Sequence, residues 1–212
     1  MKNVITERDI LESYQKGKKE IVVRQNDILT PSAKDRMNDL KMVIAKSGNI
    51  KLDIPTPTKS AFKKVAIGAD HTGFELKEIL KKFLNDKGLA VIDVGTLNKE
   101  SCDYPDFALA VAEKIISGEV EFGIIADATG IPSAITANKI PTIRAATCYN
   151  EFTAWSARSH NNANVLVVGA KTLGEEAVKA IINKWLETDF SGERHQKRLD
   201  KITDIENKLF KT

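Results

Sequence analysis

The sequence predicts an α/β fold: a three-layer αβα sandwich on a mostly parallel, five-stranded Rossmann-like sheet, with a small α+β extension at the N-terminus. From residue 63 onward, apolar runs of strand length alternate with segments whose apolar side chains recur at helical spacing. Apolar strands without a polar face are typical of parallel sheets that helices cover on both sides. A segment rich in Pro and Thr at 49–62 separates this region from the beginning of the chain and predicts a linker.

The first 48 residues form a predicted extension module with short elements. Thr6 and Asp9 approximate a helix-capping box, so the pattern predicts a helix over 7–16, which Gly17 can close in the left-handed conformation. Elements this short bury little surface. We therefore expect the module to need a partner surface.

The module continues with a predicted strand and a second helix. The β-branched run at 20–24 predicts the strand, and Thr30 followed by Pro31 predicts the beginning of the helix. The segment KMVIA at 41–45 is compatible with either a continued helix or another strand.

Five strands are predicted in the main domain, which spans 63–212. They lie at 64–70, 89–95, 122–127, 143–148 and 165–170. The helical segments among them are FELKEILKKFLNDKG, DFALAVAEKIISG, SAITANK, EFTAWSARSH and GEEAVKAIINKWLE. Ligands bind beyond the carboxyl ends of the strands in such sheets. We therefore expect the chemistry at three strand ends: Asp70-His71, Asp127 to Gly130, and Cys148 to Asn150.

Composition restricts the function. The 212 residues are 42% hydrophobic with a net charge of +3, and no basic run is long enough for a nucleic-acid stripe. No apolar segment reaches signal-peptide or membrane-span length, so we expect a cytoplasmic protein without nucleic-acid or membrane partners. Cys102 and Cys148 lack metal-ligand spacing and are expected to be reduced thiols. We expect no metal and no cofactor.

Several motifs occur in a fixed order along the second part of the chain. They are GADHTGFELKE at 68–78, DYPDFA at 103–108, the TGI and ANK within 124–139, IRAATC at 143–148, ARSHNNANVLVVGA at 157–170 and ERHQKRLDKI at 193–202. With these motifs the chain resembles, over about 63–205, the ribose-5-phosphate isomerase B family, which includes the galactose-6-phosphate isomerase subunits.

The resemblance implies a metal-independent aldose–ketose isomerase that acts on a phosphorylated sugar through an enediolate. It implies roles for individual residues. His71 and His160 are candidates for ring opening or phosphate contact, and Asn161 is a candidate for enediolate stabilisation. Asp70 would bind or orient sugar hydroxyls, with Tyr104 nearby. The implied phosphate clamp consists of Arg144, Arg194 and Arg198, which suits the planar donors of arginine.

The chain departs from the family pattern at Asp127. Many members have a cysteine base there, followed by a glycine-rich loop. This chain keeps Thr129 and Gly130 but has Ala128 and Pro132 at glycine positions, and proline offers no N–H. The resemblance makes Asp127 the candidate base, adds Thr129 as a catalytic residue and makes Gly130 a substrate-binding residue. The residue type alone favours an N-cap of the following helix.

Three functions stay open at this point. The first is an active isomerase of ribose 5-phosphate and ribulose 5-phosphate. The second is an isomerase of a six-carbon sugar phosphate. The third is a catalytically impaired binding or assembly subunit without the usual cysteine, similar to one type of galactose-6-phosphate isomerase subunit.

The resemblance also extends to partners. Family members are dimers whose sites lie between subunits, so it implies a homodimer or a dimer of dimers. ITERDILESYQKGKKEIVV followed by DILTPSAKD resembles short segments of ethanolamine-utilisation proteins of bacterial microcompartments. That similarity implies a shell or cargo partner for residues 1–48 and a location inside a microcompartment.

Overall fold

The computed structural model describes residues 4–22, 28–45 and 62–209. The chain divides into two compact units, one drawn from residues 1–51 and 207–212 and the other from 52–206. The predicted linker at 49–62 lies outside the described residues except for Phe62. The domain boundaries therefore stay a prediction.

The smaller unit contains two successive strand–helix–strand segments. The first is β1 (Val4–Ile5), α1 (Glu7–Gln15) and β2 (Glu20–Val22), and the second is β3 (Ile28–Leu29), α2 (Pro31–Asp39) and β4 (Val43–Ala45). Corresponding strands pair in parallel, β1 with β3 and β2 with β4. The segment at 41–45, ambiguous in the sequence, thus supplies a strand.

The predicted caps of this unit are present. Asp9 accepts from the backbone N–H of Thr6 at 2.7 Å, and the Thr30 hydroxyl accepts from the N–H of Ala33 at 3.2 Å. A small core gathers Ile5, Ile10, Ala33, Met37 and Met42. β1 and β3 were not predicted, because a strand of two residues is too short to show a periodic pattern.

The larger unit is the predicted α/β sandwich. Its elements are β5 (Lys64–Ala69), α3 (Phe74–Asp86), β6 (Ala90–Asp93), α4 (Tyr104–Ile116), β7 (Phe122–Asp127), α5 (Ile131–Ala137), β8 (Ala145–Thr147), α6 (Glu151–Asn161), β9 (Val165–Gly169), α7 (Glu175–Leu186) and α8 (Glu193–Leu209). The sheet order is β6-β5-β7-β9-β8, and every neighbouring pair is parallel. The predicted fold class is confirmed.

Successive strand residues supply the two cores of this sandwich. Ile124 and Leu166 lie in the core on one face of the sheet, whereas Ile125 and Val167 lie in the core on the other. Side chains alternate between faces along a strand, so a strand covered on both sides must be apolar at every position. This explains why the strands read as continuous apolar runs.

The strand order creates a switch point between β5 and β7. The chain passes from β5 to β6 on one side and then returns to place β7 on the other. Ala69 and Ala126 are partners in the ladder, so Asp70 and Asp127, the next residues, end adjacent strands at the same level. This is the position at which open α/β sheets bind ligands.

Candidate functional site

Asp70 organises the loop after β5. Its Oδ1 accepts from the backbone N–H of Thr72 at 2.9 Å and of Gly73 at 3.0 Å, and from the Thr72 hydroxyl at 2.6 Å. These groups lie at the beginning of α3, where backbone N–H groups have no partner within the helix. Asp70 therefore holds the loop in shape through one carboxylate oxygen.

Asp127 occupies the equivalent place after β7. It is 1% exposed, and its Oδ1 accepts from the N–H of Thr129 at 2.8 Å and of Gly130 at 2.5 Å. Its Oδ2 accepts from the N–H of Ser133 at 3.1 Å. Both oxygens are thus engaged by the backbone around the beginning of α5. The catalytic role of Asp127 stays a prediction, while these contacts favour the capping alternative.

A repeated sequence underlies the two loops. Residues 69–73 read ADHTG and residues 126–130 read ADATG. In both, the aspartate Oδ1 accepts from the N–H groups two and three residues ahead. This repeat was not among the motifs used for prediction, and it indicates a common capping role for Asp70 and Asp127.

Thr129 and Gly130 complete the second loop. Gly130 has a φ of 81°, and its carbonyl accepts from the Thr147 hydroxyl at 2.7 Å. The N–H groups of Thr129 and Gly130 point to Asp127, so in this arrangement they are not free to face a reacting oxygen. The Thr129 hydroxyl accepts from the N–H of Ile131 at 3.3 Å.

His71 and Tyr104 lie beside these loops. The Nδ1 of His71 lies 3.2 Å from the backbone N and 3.3 Å from the backbone O of Cys102. These contacts bring the loop before α4 to the end of β5, and Tyr104 is the first residue of α4, with 36% of its surface exposed. We call the predicted site residues at this end of the strands the carboxyl-edge group: Asp70, His71, Tyr104, Asp127, Thr129 and Gly130.

Arg144 lies near the amino ends of the strands, at the opposite end of the sheet from the carboxyl-edge group. Ala145 and Gly123 both pair with Val165, so Arg144, one residue earlier, stands level with Phe122. Asp127 is five residues beyond Phe122, which at about 3.3 Å per residue separates the two levels by about 16 Å. Within one chain, the backbones of Arg144 and Asp127 therefore lie at opposite ends of the strands.

The Arg144 guanidinium makes structural contacts within the chain. Its Nε donates to the carbonyl of Asn162 at 2.8 Å, and one terminal nitrogen donates to the carbonyl of Thr142 at 3.4 Å. Burial lowers the pKa of Arg144, and the carboxylate of Glu206 opposes that shift. The predicted strand over 143–148 includes Arg144. This bound is wrong, because β8 begins at Ala145.

His160 and Asn161 lie at the same amino edge. Helix α6 follows β8 and returns along the sheet, so its last residues reach the level at which β9 begins. Asn161 is exposed and donates through Nδ2 to the carbonyl of Ser156 at 3.1 Å. With Arg194 and Arg198, placed beside them by α8, we call these residues the amino-edge group: Arg144, His160, Asn161, Arg194 and Arg198.

Two stacked histidine rings join α6 to α8. The rings of His160 and His195 lie 4.2 Å apart with an angle of 6° between their planes. Arg194 directs its Nε at the Nε2 of His195, 3.4 Å away. Burial lowers the pKa of His195, and the neighbouring charges of His160, Arg194 and Arg198 act in the same direction, while Glu193 opposes them. His195 was not among the predicted site residues, although it lies inside the quoted ERHQKRLDKI motif.

The lowered pKa of His195 predicts a stability loss on acidification. Between the unfolded and folded pKa values the unfolded chain binds more protons, so the free energy of unfolding decreases as pH falls below about 6.5. We expect a smaller decrease between about pH 7 and pH 5 in His195→Gln, measured by urea denaturation. Asn161→Gln, which removes no titratable group, is the control and should keep the wild-type dependence. Equal pH dependence in His195→Gln and wild type would contradict the prediction.

An open groove of about 520 Å³ lies along the exposed edge of β8. Its polar side chains include Arg144, Asn161 and Glu206. Phe152 and Ile202 contribute apolar ones and are 69% and 44% exposed. The groove runs the length of β8, from Arg144 before the strand to Cys148 and Phe152 after it, and holds none of the carboxyl-edge group.

Lys171 is a further cation near the carboxyl-edge group. It is the second residue after β9, is exposed, and donates its backbone N–H to the carbonyl of Ala128 at 3.0 Å. The rule that ligands bind at strand ends could have found Lys171, because 165–170 was one of the predicted strands.

Cys148 was predicted at the end of the strand over 143–148. Its thiol is buried, and burial raises its pKa to about 11.

The described residues contain neither a metal-binding cluster nor a membrane-spanning helix. In the described ranges 4–22, 28–45 and 62–209, no cluster of three or more His, Cys, Asp or Glu residues has a metal-binding arrangement. Among the same residues, no helix is both long and apolar enough to span a membrane.

Comparison with known proteins identifies similar chains. The family model described as Ribose/Galactose Isomerase matches residues 65–202. Ribose-5-phosphate isomerase B of Escherichia coli (strain K12) is 42% identical over 146 residues, which cover 69% of this chain and 98% of the relative. D-erythrulose-4-phosphate isomerase of Pectobacterium atrosepticum is 40% identical over 139 residues, 65% of this chain and 91% of the relative. The structure of Clostridium thermocellum ribose-5-phosphate isomerase B superposes with a TM-score of 0.68 at 46% identity, over 68% of this chain and 98% of that one.

Proposed function

The chain belongs to the ribose/galactose isomerase family, and on that premise we propose that it interconverts ribose 5-phosphate and ribulose 5-phosphate through an enediolate. The similar proteins named above carry the names of sugar-phosphate isomerases. The observation that carries the proposal is the group of cations around the histidine stack. In the part of the chain that the structure describes, no ion pair joins Arg194 or Arg198 to a carboxylate. A phosphate monoester fits such a group.

We assign the phosphate to the arginines of the amino-edge group, and the reacting carbons to the carboxyl-edge group together with Asn161. Arg194 and Arg198 would bind the phosphate, since a spacing of four places them on one side of α8. Asp70, Tyr104 and the loop of Thr129 and Gly130 would bound the sugar. Asn161 would stabilise the enediolate oxygen. These assignments continue the sequence-based predictions.

We propose a homodimer as the functional unit, because one chain separates the two groups. A second copy that presents its amino edge to the first chain's carboxyl edge would complete a site from residues of both subunits. Exposed apolar side chains on α5 and α6 support such an interface. They include Ile131 and Ile135 on α5 and Phe152 and Trp155 on α6, which are 51%, 57%, 69% and 37% exposed.

The substrate proposal is tested by assaying the purified full chain on a panel of sugar phosphates. The panel contains ribose 5-phosphate, a tetrose 4-phosphate and galactose 6-phosphate, and NMR follows both directions of each reaction. We expect kcat/KM for ribose 5-phosphate to exceed the other two by at least about tenfold. Turnover of the tetrose or hexose phosphate alone would replace the pentose assignment while keeping the reaction class.

The contacts of Asp127 favour a second candidate function, a binding or assembly subunit with impaired catalysis. If the carboxylate only caps α5, the family's usual base position lacks a proton acceptor. Copurification from the native host distinguishes the two. A catalytic partner chain would support the assembly subunit, whereas an isolated homodimer with isomerase activity would exclude it.

We further propose that the N-terminal unit docks this enzyme to a bacterial microcompartment. The sequence resemblance motivates the proposal, and Val4 and Ile28, partners in the β1–β3 ladder, are 49% and 50% exposed. Fusion of residues 1–48 to a fluorescent protein in a host that makes such compartments tests it. Fluorescence confined to the compartments is expected, and diffuse fluorescence would contradict it.

A further inference from the structure

The ring of His160, near the end of α6, has three close neighbours. It stacks on His195 with 4.2 Å between the ring centroids and 6° between the planes, and it meets Trp155 at 4.7 Å with 69° between the planes. Its Nδ1 lies 3.4 Å from the hydroxyl oxygen of Ser156. Trp155 and Ser156 belong to the same helix as His160, whereas His195 belongs to α8. The ring is therefore held by two helices at once.

The two ring neighbours restrict different motions of the imidazole. The χ2 torsion of a histidine is broad and roughly two-fold, so a ring without neighbours takes up many orientations. A parallel ring at 4.2 Å prevents the imidazole of His160 from tilting toward it, and the nearly perpendicular ring of Trp155 bounds the imidazole from a second direction. The hydrogen bond shown for this ring within residues 62–209 is at Nδ1. Nε2 is thus left for a substrate, in a fixed orientation.

Trp155 stands at the surface, unlike the other tryptophan of the chain. Trp185 lies in the core on one face of the sheet, where packing accounts for it. Trp155 is exposed, and its ring contacts are with Phe152, at 5.5 Å between centroids, and with His160. It lies outside the motifs that carry the family resemblance, since one ends at 148 and the next begins at 157. The contact with His160 is the one that connects Trp155 to the predicted site.

We propose that Trp155 is a positioning residue for the isomerisation, and that it acts by holding the ring of His160 in the orientation that the substrate meets. This inference rests on the proposed function and on the predicted place of His160 in the site. It holds for either role that the resemblance implies for His160, ring opening or phosphate contact, because both require a fixed Nε2.

The expected effect of removing the indole is partial. His195 still covers His160 when Trp155 is removed, since its stack is formed by a different helix. A single aromatic pair is worth a factor of about three to ten. We therefore expect Trp155→Ala to lower kcat/KM for ribose 5-phosphate by about three- to tenfold. Trp155→Phe restores a ring at the same place and should stay within about twofold of the wild type.

Phe152→Ala is the matched control for the exposed surface of α6. Phe152 precedes Trp155 by three residues on the same helix, and its ring contact is with Trp155 rather than with His160. The control removes an exposed aromatic ring and leaves the Trp155–His160 pair in place, so kcat/KM should stay within about twofold of the wild type. An equal loss in Phe152→Ala and Trp155→Ala would assign the effect to this surface and would overturn the inference.

A double-mutant cycle tests whether Trp155 acts through His160. In a His160→Asn background, Trp155→Ala should change kcat/KM by less than about twofold, because the ring that Trp155 holds is already absent. A full three- to tenfold loss in that background would show that Trp155 acts independently of His160, and would overturn the inference. Where His160→Asn has no measurable turnover, the ring orientation itself decides.

NMR measures that orientation without an assay. Cross-relaxation between the ring protons of His160 and the side chain of Ser156 reports it, because the Ser156 hydroxyl lies at Nδ1. We expect these signals to weaken in Trp155→Ala and to persist in Phe152→Ala. Unchanged signals in Trp155→Ala would overturn the inference while the turnover of the wild type stays intact. A wild type without turnover of any sugar phosphate would overturn the proposed function and this inference together.

Discussion

Asp127→Asn is expected to lose stability while keeping most of its turnover. The asparagine can still accept from Thr129 and Gly130 through its remaining oxygen, but its amide NH₂ would face the N–H of Ser133. A buried donor without an acceptor costs about 1–3 kcal/mol. We expect the free energy of unfolding to fall by that amount, and kcat to fall less than about tenfold after correction for the folded fraction.

Asp70→Asn is the matched control for stability. Asp70 accepts all three of its hydrogen bonds at Oδ1, so an asparagine with its oxygen in that place keeps them. Its free energy of unfolding should change by less than about 1 kcal/mol. Denaturant unfolding of both variants measures the difference. Unchanged stability of Asp127→Asn together with a thousandfold or greater loss of kcat would instead establish Asp127 as the base.

We expect isomerase activity to return when a variant of the carboxyl-edge group is mixed with a variant of the amino-edge group. If each site takes its carboxyl edge from one subunit and its amino edge from the other, His71→Asn and Arg198→Ala impair different halves of it. After subunit exchange, half of the dimers contain one chain of each kind. Each such dimer has one site with both halves intact, so about a quarter of the wild-type activity should return.

The subunit-mixing experiment needs a control pair of variants that both impair the same half of the site. Arg194→Ala mixed with Arg198→Ala is that control, because both residues lie near the His160–His195 stack on α8. Their mixture should stay as inactive as the separate variants. Subunit exchange is confirmed by native mass spectrometry of the mixed dimers. Exchange without recovery in the first mixture would place the whole site within one chain.

Much of the fold follows from local patterns in the sequence. β7 has the bounds 122–127 that the apolar run predicts, and β9 ends one residue before its predicted end. Continuous apolar strands need covering on both faces, and this requirement alone favours a parallel sheet. The short strands β1 and β3 escaped detection because two residues show no period.

Asp127 shows where local chemistry and resemblance diverge. An aspartate after a strand and before a helix predicts an N-cap, while the family position predicts a base. The structure shows three backbone donors around the carboxylate, an arrangement close to that of Asp70 in the loop with the repeated motif. The repeat was present in the sequence and would have shifted the interpretation toward the cap.

Local patterns in the sequence predict most of the elements, the parallel sheet, and the residue types that a phosphorylated sugar requires. Which of these residues lie close together depends on the tertiary structure. Strand order and register place Asp70 and Asp127 level at one edge and Arg144 about 16 Å away at the other. The His160–His195 stack likewise depends on how α6 and α8 pack. The physical reason is that hydrophobic periodicity specifies which side of an element is buried, whereas distances across the sheet depend on contacts between residues remote in sequence.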